Sequence, residues 1–237
     1  MIDSELIKRY YPDDSKNGTV IFYNWIRSFI QPTFDILNMG AGLTTDNKIR
    51  SLKGEVIKVV GVDVNSEIMK NEDLDEAIVI TNNKLPFADN TFNLVWSDYV
   101  LEHIDDPGTF LQEIYRVLKP RASFFFRTPN KHHYVSLMAR MTPDWFHKRI
   151  ANKVRGLSNE AHELYPTFHK LNSRNSITTY ARLAGFRYID LRLIEAEPSY
   201  LMFHSIPFLL GVFYERIVNS SNRLSNLRAN IFGRLEK

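Results

Sequence analysis

The sequence predicts an α/β protein with a doubly wound, mostly parallel sheet that carries helices on both faces. Short runs of β-branched and aromatic residues alternate with stretches of helical periodicity through the first half of the chain, which is typical of βαβ units. Several runs are almost continuously apolar, as expected for parallel strands covered on both faces. Two glycines follow the first run directly, in the letters DILNMGAGLTT of residues 35–45, where a strand turns towards a helix.

The individual elements follow from the same patterns. The letters DDPGTFLQEIYRVLKP place apolar residues at helical intervals from Asp105, with Pro107 near the start and Pro120 as the expected end. A second helix is expected at Thr178–Ala184, because Gly185 follows it as a C-cap. The predicted strands are Phe34–Asn38, Val56–Asp63, Ala77–Ile80, Phe92–Ser97, Ala122–Thr128 and Arg187–Ile194.

The composition is that of an ordinary globular protein, with 44% hydrophobic and 24% charged residues among 237. No cysteine is present, so disulfides and thiolate metal sites are excluded and a reducing compartment is favoured. The polar start MIDSELIKRYYPDD is unlike a signal peptide, and we expect a cytoplasmic protein. A net charge of +3 is too small to predict nucleic-acid binding.

Residues 129–172 separate the fifth strand from the next helix, a length that predicts a lid or binding insertion within a main domain of residues 1–199. From Lys131 to Arg155 this insertion carries six basic residues against one acid. The excess indicates an acidic ligand, a phosphate or a membrane surface, or else a solvated basic face.

The tail, residues 200–237, is apolar at first and basic afterwards, and we expect it to be helical. Its letters YLMFHSIPFLLGVFY are too short and too often interrupted to span a bilayer, which takes roughly twenty apolar residues. The tail is therefore either a peripheral membrane anchor, or a helix that packs on the domain or on a partner copy in a homodimer.

Gly40 and Gly42 lie where the backbone of a doubly wound sheet can approach a ligand closely. The Gly-x-Gly spacing lacks the third glycine of the dinucleotide fingerprint, so a tight turn without a ligand explains it equally well. Asp63 ends the second predicted strand, where nucleotide-binding folds place a carboxylate that accepts both ribose hydroxyls. A strand-end aspartate that caps a helix is the alternative.

A long ordered block, Leu85 to Pro120, reads LPFADNTFNLVWSDYVLEHIDDPGTFLQEIYRVLKP. Together with ILNMGAG and VVGVDVN before it, this block resembles the class I S-adenosylmethionine-dependent methyltransferases, and specifically the type 11 methyltransferase-domain family, over residues 34–130. The resemblance implies a Rossmann-like, seven-stranded sheet. It also implies S-adenosyl-L-methionine as cofactor, S-adenosyl-L-homocysteine as product and no metal.

The resemblance implies roles at the matching positions. The two glycines border the methionine part of the cofactor, Asp63 holds the ribose and Val64 packs on the adenine. Thr81 and Asn82 face the adenine edge, while Ser97 and Asp98 border the sulfonium. The implied cofactor-binding residues are Asn38, Gly40, Ala41, Gly42, Asp63, Val64, Thr81, Asn82, Ser97 and Asp98.

The chain departs from the family pattern at three places. The family has an acid at the position of Asn38, a glycine at Thr44, and two glycines at Arg121 and Ala122. Asn38 keeps the shape of an aspartate but lacks its charge opposite the cofactor's ammonium group, which weakens that contact. The changes at Arg121 and Ala122 are expected to have structural consequences only.

The resemblance implies methyl transfer, and we expect O-methylation of a small-molecule, glycan-precursor or lipid-linked acceptor. A hydroxyl acceptor must lose a proton, and histidine titrates near neutrality, so His103, His132 and His133 are the predicted bases. Asp98, His103 and Asp105 lie close in sequence, but their spacing is not a recognised set of metal ligands.

Two other functions remain open from the sequence. A nicotinamide-dependent oxidoreductase would share the fold, although the missing third glycine and the LPFADNTF block argue against it. A non-catalytic, cofactor-binding or scaffold relative is the other alternative, because Asn38 departs from the family and the tail resembles an anchor.

Overall fold

The computed structural model describes residues 4–81, 84–141 and 166–237. Seven strands form a single sheet in these ranges. The order in which they pair confirms the predicted doubly wound α/β fold. The strands are β1 (Asp35–Met39), β2 (Lys58–Asp63), β3 (Glu76–Val79), β4 (Phe92–Asp98), β5 (Leu118–Pro129), β6 (Tyr188–Ile194) and β7 (Asn230–Glu236). Their order across the sheet is β3-β2-β1-β4-β5-β7-β6.

The helices begin and end at residues that cap them. Asp106 accepts a hydrogen bond of 3.1 Å from the Thr109 N–H at the start of one helix, and Gly185 ends another with a φ of +106°. Within the described ranges the helices are α1 (Ser4–Tyr10), α2 (Gly18–Arg27), α3 (Pro107–Val117), α4 (Tyr134–Met141), α5 (Arg174–Ala184) and α6 (Ser205–Asn219). Part of the predicted insertion, residues 142–165, lies outside the described residues.

The first five strands run parallel, with β1 in the middle. Ile36, Leu37 and Val95 have no exposed surface, as expected for strands covered on both faces. The carboxyl ends of β1, β2, β4 and β5 therefore meet at one edge of the sheet, where ligands bind in doubly wound folds.

The strand β5 begins directly after α3, four residues before its predicted start. Leu118 pairs with Phe92, but the next pair is Ser123 with Leu94, so extra residues bulge out of β5. Pro120 lies in this bulge and does not end the helix as predicted. Arg121 has a φ of +65°, which is a left-handed backbone conformation. Glycine adopts this conformation freely, and glycine is the residue that the family pattern has at this position.

The C-terminal residues form an inner strand of the sheet. The Lys237 N–H donates to the Ala122 carbonyl, whereas the Asn130 N–H donates to the Ala229 carbonyl, so β7 runs antiparallel to β5. A Cβ atom at Gly233 would collide with the ring of Phe126, so only glycine fits at this position of β7. The expected helical tail is therefore correct for α6 but wrong for residues 230–236.

The chain divides into two compact units that alternate along the sequence. The sheet unit contains Phe22–Thr128, Thr167–Arg192 and Ile231–Lys237; the α6 unit contains Met1–Ile21, Pro129–Pro166 and Leu193–Asn230. In the α6 unit, α1 packs on α6 around a small core of Tyr11, Phe208 and Val212. No helix in the described part of the chain has the length and hydrophobicity that crossing a bilayer requires.

Candidate functional site

The glycine loop, residues 40–44, follows β1 at the carboxyl edge of the sheet. Gly40 has a φ of +70°, and a Cβ atom built on it would lie 2.4 Å from Cγ2 of Val100. Gly42 has a φ of +57°, but a Cβ there would meet no described atom within 4 Å. Both residues need the left-handed conformation that glycine adopts freely. Only Gly42 has open space beside its backbone, so a ligand can approach the main chain there.

Asp63 at the end of β2 holds the glycine loop in place. Its Oδ2 accepts a hydrogen bond of 2.9 Å from the Gly42 N–H, and its Oδ1 accepts one of 2.8 Å from the Asn65 N–H. An ionised carboxylate offers about four acceptor positions, so two remain for a ligand. The loop and the carboxylate are thus one connected structure.

A residue that the sequence reasoning missed, Asn71, fixes the other side of this loop. Its Nδ2 donates to the carbonyl oxygens of Gly42 at 2.8 Å and Ala41 at 3.3 Å. Thr44, where the family has glycine, accepts a hydrogen bond of 2.6 Å from the Glu72 N–H. No spacing or motif marks Asn71 in the sequence, because its role depends on how two loops meet.

The predicted adenine side of the site lies beside Asp63. Val64 is 60% exposed although it is apolar, so it offers a surface on which a flat ring can pack. The Ile80 N–H donates to the Asp63 carbonyl at 2.9 Å, which brings the exposed Thr81 next to this strand end. Asn82 lies outside the described residues.

Asn38 and Ala41 lie on either side of Gly40. Asn38 is half-buried in β1, in register with Gly61 of β2 and Trp96 of β4. The Cβ of Ala41 would be 3.0 Å from a Cβ on Gly61, so this part of the loop packs closely on β2. These positions keep both side chains at the start of the loop, as the resemblance implies.

Ser97 and Asp98 at the end of β4 differ sharply in their surroundings. Ser97 is fully buried, and its Oγ has no hydrogen-bond partner within the described part of the chain. Asp98 is instead held in a two-pronged ion pair by Arg127, whose Nε lies 2.6 Å from Oδ1 and whose Nη2 lies 2.7 Å from Oδ2. The Tyr23 hydroxyl also donates to Asp98 at 3.4 Å. The Asp98 carboxylate is therefore already neutralised, which the resemblance did not predict.

The sequence feature that indicates this ion pair is an arginine within a buried strand. Arg127 interrupts the buried run FFFRTP of β5, and its side chain is only 3% exposed, so it requires an anionic partner. The ring of Tyr99 lies 4.6 Å from the guanidinium, and Tyr99 has a φ of +59°. Such a backbone conformation is strained for a residue with a side chain, and it positions the turn after β4.

The turn Leu101–His103 after β4 carries two ionisable groups. His103 is one of the predicted bases, whereas Glu102 was not predicted as a site residue. His103 is half-exposed at the carboxyl edge of the sheet, as expected. Glu102 is only 7% exposed and accepts a hydrogen bond of 3.1 Å from the Thr128 hydroxyl. Burial raises the pKa of the Glu102 carboxyl to about 7, so it titrates near neutrality.

Glu102 also connects the turn to the segment that returns from the insertion. The N–H groups of Phe168 and His169 donate to its carbonyl at 2.8 and 3.2 Å. The side-chain amide of Asn172 donates to the Thr128 hydroxyl at 2.8 Å. These contacts fasten the start of residues 166–173 to the ends of β4 and β5.

The two other predicted histidines belong to the α6 unit. His132 is exposed, and its N–H donates to Oδ1 of Asn130 at 3.1 Å. His133 is 3% exposed, with Nε2 3.6 Å from Oε1 of Glu195 and its ring 4.3 Å from that of Tyr134. A histidine enclosed in this way serves packing, so the structure does not favour His133 as a base.

The described residues contain no group of three histidine or carboxylate side chains placed to hold a metal ion. The structure brings one set of predicted residues together around the glycine loop, within the sheet unit. That set is Asn38, Gly40, Ala41, Gly42, Asp63, Val64 and Thr81.

Comparisons with known proteins bear on the same part of the chain. The family model described as "Methyltransferase domain" matches residues 37–126. A methyltransferase of known structure from Archaeoglobus fulgidus, named as SAM-dependent, is 15% identical and superposes with a TM-score of 0.57, over 99% of this chain and 100% of that one. At this identity the superposition supports the fold.

Two longer sequence matches are to named enzymes. The chain is 28% identical to cycloartenol-C-24-methyltransferase 1 of Oryza sativa subsp. japonica over 84% of its own length and 55% of the rice protein. It is also 28% identical to the ubiquinone/menaquinone biosynthesis C-methyltransferase UbiE of Escherichia coli, over 68% of each chain. Two further curated relatives are matched over only 15% and 12% of their own length.

The match to the family model begins within β1 and includes β2, β3 and β4. It also covers the glycine loop, Asp63 and the Leu85–Pro120 block that carries the resemblance. Sequence motif, sheet order and family model thus agree on one domain. Residues 37–126 match a methyltransferase domain, and this match together with the fold supports a class I S-adenosylmethionine-dependent methyltransferase.

Proposed function

We propose that this protein transfers a methyl group from S-adenosylmethionine to a carbon atom of a hydrophobic, lipid-linked acceptor. The observation that carries the proposal is the hydrogen bond between Gly42 and Asp63, because it combines an accessible backbone with a carboxylate that has free acceptor positions. A cis-diol can occupy those positions.

The residues of the glycine loop fit the cofactor. We assign the methionine part to Gly40, Ala41 and Gly42, since a Cβ atom added to Gly42 would meet no atom of the described residues within 4 Å. The buried Ser97 hydroxyl needs a partner, and a ligand at the end of β4 would provide one. We assign the ribose to Asp63. The adenine is assigned to Val64 and Thr81, with Asn82 as a further predicted contact.

Asn38 is assigned to the amino-acid end of the cofactor. Its amide oxygen can accept a hydrogen bond from the ammonium group, but without the charge that an aspartate would add. Asp98 has a different assignment: its ion pair with Arg127 makes it a positioning residue for the end of β4.

Bound S-adenosylmethionine would supply an activated methyl group on a sulfonium. An acceptor carbon that takes this methyl group would also have to lose a proton. His103 is our candidate to accept this proton, because it is half-exposed at the carboxyl edge beside the glycine loop's strand.

The choice of carbon rests on the relatives. The rice and Escherichia coli relatives, matched over 84% and 68% of this chain, are named as C-methyltransferases, of a sterol and of a quinone pathway. The matches reported above give no support to the expected O-methylation, so we propose carbon. Quinone and sterol acceptors are hydrophobic, which supports a lipid-linked acceptor and peripheral contact with a membrane.

The atom that receives the methyl group can be identified chemically. Purified protein is incubated with methyl-labelled S-adenosylmethionine and a membrane lipid extract, and labelled lipids are treated with hot hydriodic acid. Methyl ethers release the label as methyl iodide, whereas methyl groups on carbon retain it. We expect the label to be retained; its release would show O-methylation instead. The His103→Gln variant should bind S-adenosylhomocysteine normally and incorporate much less label.

A further inference from the structure

The helix α6 exposes a row of large apolar side chains. Ile206, Leu210 and Phe213 are 65%, 63% and 66% exposed, and Leu209 and Ile217 are also exposed between and after them. Their spacing of three and four residues places all five on one face of the helix. Phe203, just before the helix, is 47% exposed as well. We call these six residues the apolar stripe.

The opposite face of α6 is buried and, apart from one acid, apolar. Phe208, Val212 and Val218 are at most 5% exposed, and Phe208 and Val212 pack against α1. A helix at a protein surface normally carries polar residues on its outer face, whereas a helix that is apolar all round is covered on all sides. The stripe therefore lacks the polar character that contact with water favours.

The acid of α6 is buried, whereas the charged side chains exposed on and just after this helix are basic. Its only acid, Glu215, is fully buried, with Lys16 Nζ at 3.3 Å and Arg216 Nε at 3.3 Å from its oxygens. The exposed charged residues from 199 to 229 are Arg216, beside the stripe, and Arg223, after the helix. An apolar stripe with a basic border is thus the exposed feature of this helix.

We propose that the apolar stripe of α6 binds the surface of a membrane that contains anionic lipids. Apolar side chains would enter the boundary between headgroups and acyl chains, while Arg216 and Arg223 would contact the negative headgroups. A second copy of the chain fits less well, because a two-fold contact would bring two basic borders together. The proposal rests on the proposed function, since it brings the enzyme to the membrane that holds a lipid-linked acceptor.

The test is flotation of the full chain with unilamellar vesicles, either of phosphatidylcholine alone or with 30% phosphatidylglycerol, where roughly this anionic fraction gives a cell-like surface potential. We expect binding to the anionic vesicles, at least tenfold weaker binding to phosphatidylcholine, and loss of the difference in 0.5 M salt, roughly where screening shortens to a few ångströms.

Variants connect binding to the stripe. The triple variant Ile206→Ser, Leu210→Ser, Phe213→Ser should bind the anionic vesicles at least tenfold more weakly. As a matched control, Ile57→Ser with Leu183→Ser removes apolar side chains that are 67% and 72% exposed in the sheet unit, and binding should not change. Arg216→Gln with Arg223→Gln should remove the preference for anionic lipid. Circular dichroism checks that each variant is folded.

Two results would overturn the proposal. One is a wild-type chain that binds S-adenosylhomocysteine in calorimetry but floats with neither vesicle, and this result leaves the proposed function intact. The other is a dimer in sedimentation equilibrium that the triple variant dissociates, because the stripe would then be an interface between copies. Failure of the proposed function is separate: vesicle binding would persist without S-adenosylhomocysteine binding.

Discussion

The backbone N–H of Gly42 donates a hydrogen bond of 2.9 Å to the carboxylate of Asp63, across 21 residues of chain. The contact joins the turn after β1 to the end of β2, so the two strongest sequence features of the site depend on each other. A change in either residue is expected to alter both the loop and any ligand that it holds.

The two glycines of the loop should respond differently to alanine. At Gly40 the new Cβ would collide with Val100 in addition to requiring a positive φ, so we expect a loss of about 2 to 4 kcal/mol in the free energy of unfolding. At Gly42 only the conformational cost of about 1 to 2 kcal/mol applies. Urea denaturation of both variants measures the difference, and equal losses would contradict the described packing around Gly40.

Asn38→Asp should strengthen cofactor binding. The substitution restores the charge that the family has at this position, opposite the ammonium group, and charge-assisted hydrogen bonds are roughly twice as strong as neutral ones. We expect S-adenosylhomocysteine to bind about three- to tenfold more tightly by calorimetry. Asn47→Asp, at an exposed cap outside the loop, is the control. Unchanged or weaker binding would remove Asn38 from the cofactor site.

Glu102 should make the stability of the protein depend on pH. Its pKa is raised by burial from 4.5 to about 7, so the folded state holds the proton more tightly than the unfolded state. The free energy of unfolding should therefore fall as pH rises from 4.5 to 7. In Glu102→Gln this fall should be smaller, by an amount on the order of 1 to 3 kcal/mol at pH 8. If the free energy of unfolding of the wild type and of Glu102→Gln changes equally between pH 5 and 8, Glu102 is not the group responsible for the pH dependence.

Removing Arg127 should leave the buried Asp98 with only a longer ion pair to Arg50, at 3.8 Å, and the Tyr23 hydroxyl. Breaking a buried ion pair typically costs about 3 to 5 kcal/mol, so Arg127→Met should lower the free energy of unfolding by up to that order. A double variant with Asp98→Leu removes the poorly compensated charge and should recover more than half of the loss. If the double variant is no more stable than Arg127→Met, the ion pair does not account for the effect.

The strands near the site could be predicted because burial on both faces leaves a continuous apolar run. β1 and β4 lie within one residue of their predicted bounds. β7 could not be predicted in this way, since NIFGRLE becomes an inner strand only through its pairing with β5, far away in the sequence. The apolar letters before it instead suggested that the whole tail was helical.

The same limit applies to predicting the residues of the candidate site from the sequence. Gly40, Gly42 and Asp63 could be found because a backbone conformation and a strand end determine them. Asn71 could not, because its hydrogen bonds arise from the meeting of two loops. Glu102 could not be predicted as a group that titrates near neutrality, because its pKa is raised by burial and burial is visible only in the folded chain.

The central claim is that Asp63 and the glycine loop bind S-adenosylmethionine, and calorimetric titration with S-adenosylhomocysteine tests it most directly. We predict binding by the wild type, and binding about 10- to 100-fold weaker for Asp63→Asn, which keeps one oxygen for the Gly42 N–H but not the charge that holds the ribose. Asp14→Asn, at an exposed aspartate of the α6 unit, should bind like the wild type. Equal affinity of Asp63→Asn and the wild type, or binding of NADH without S-adenosylhomocysteine, would contradict the claim.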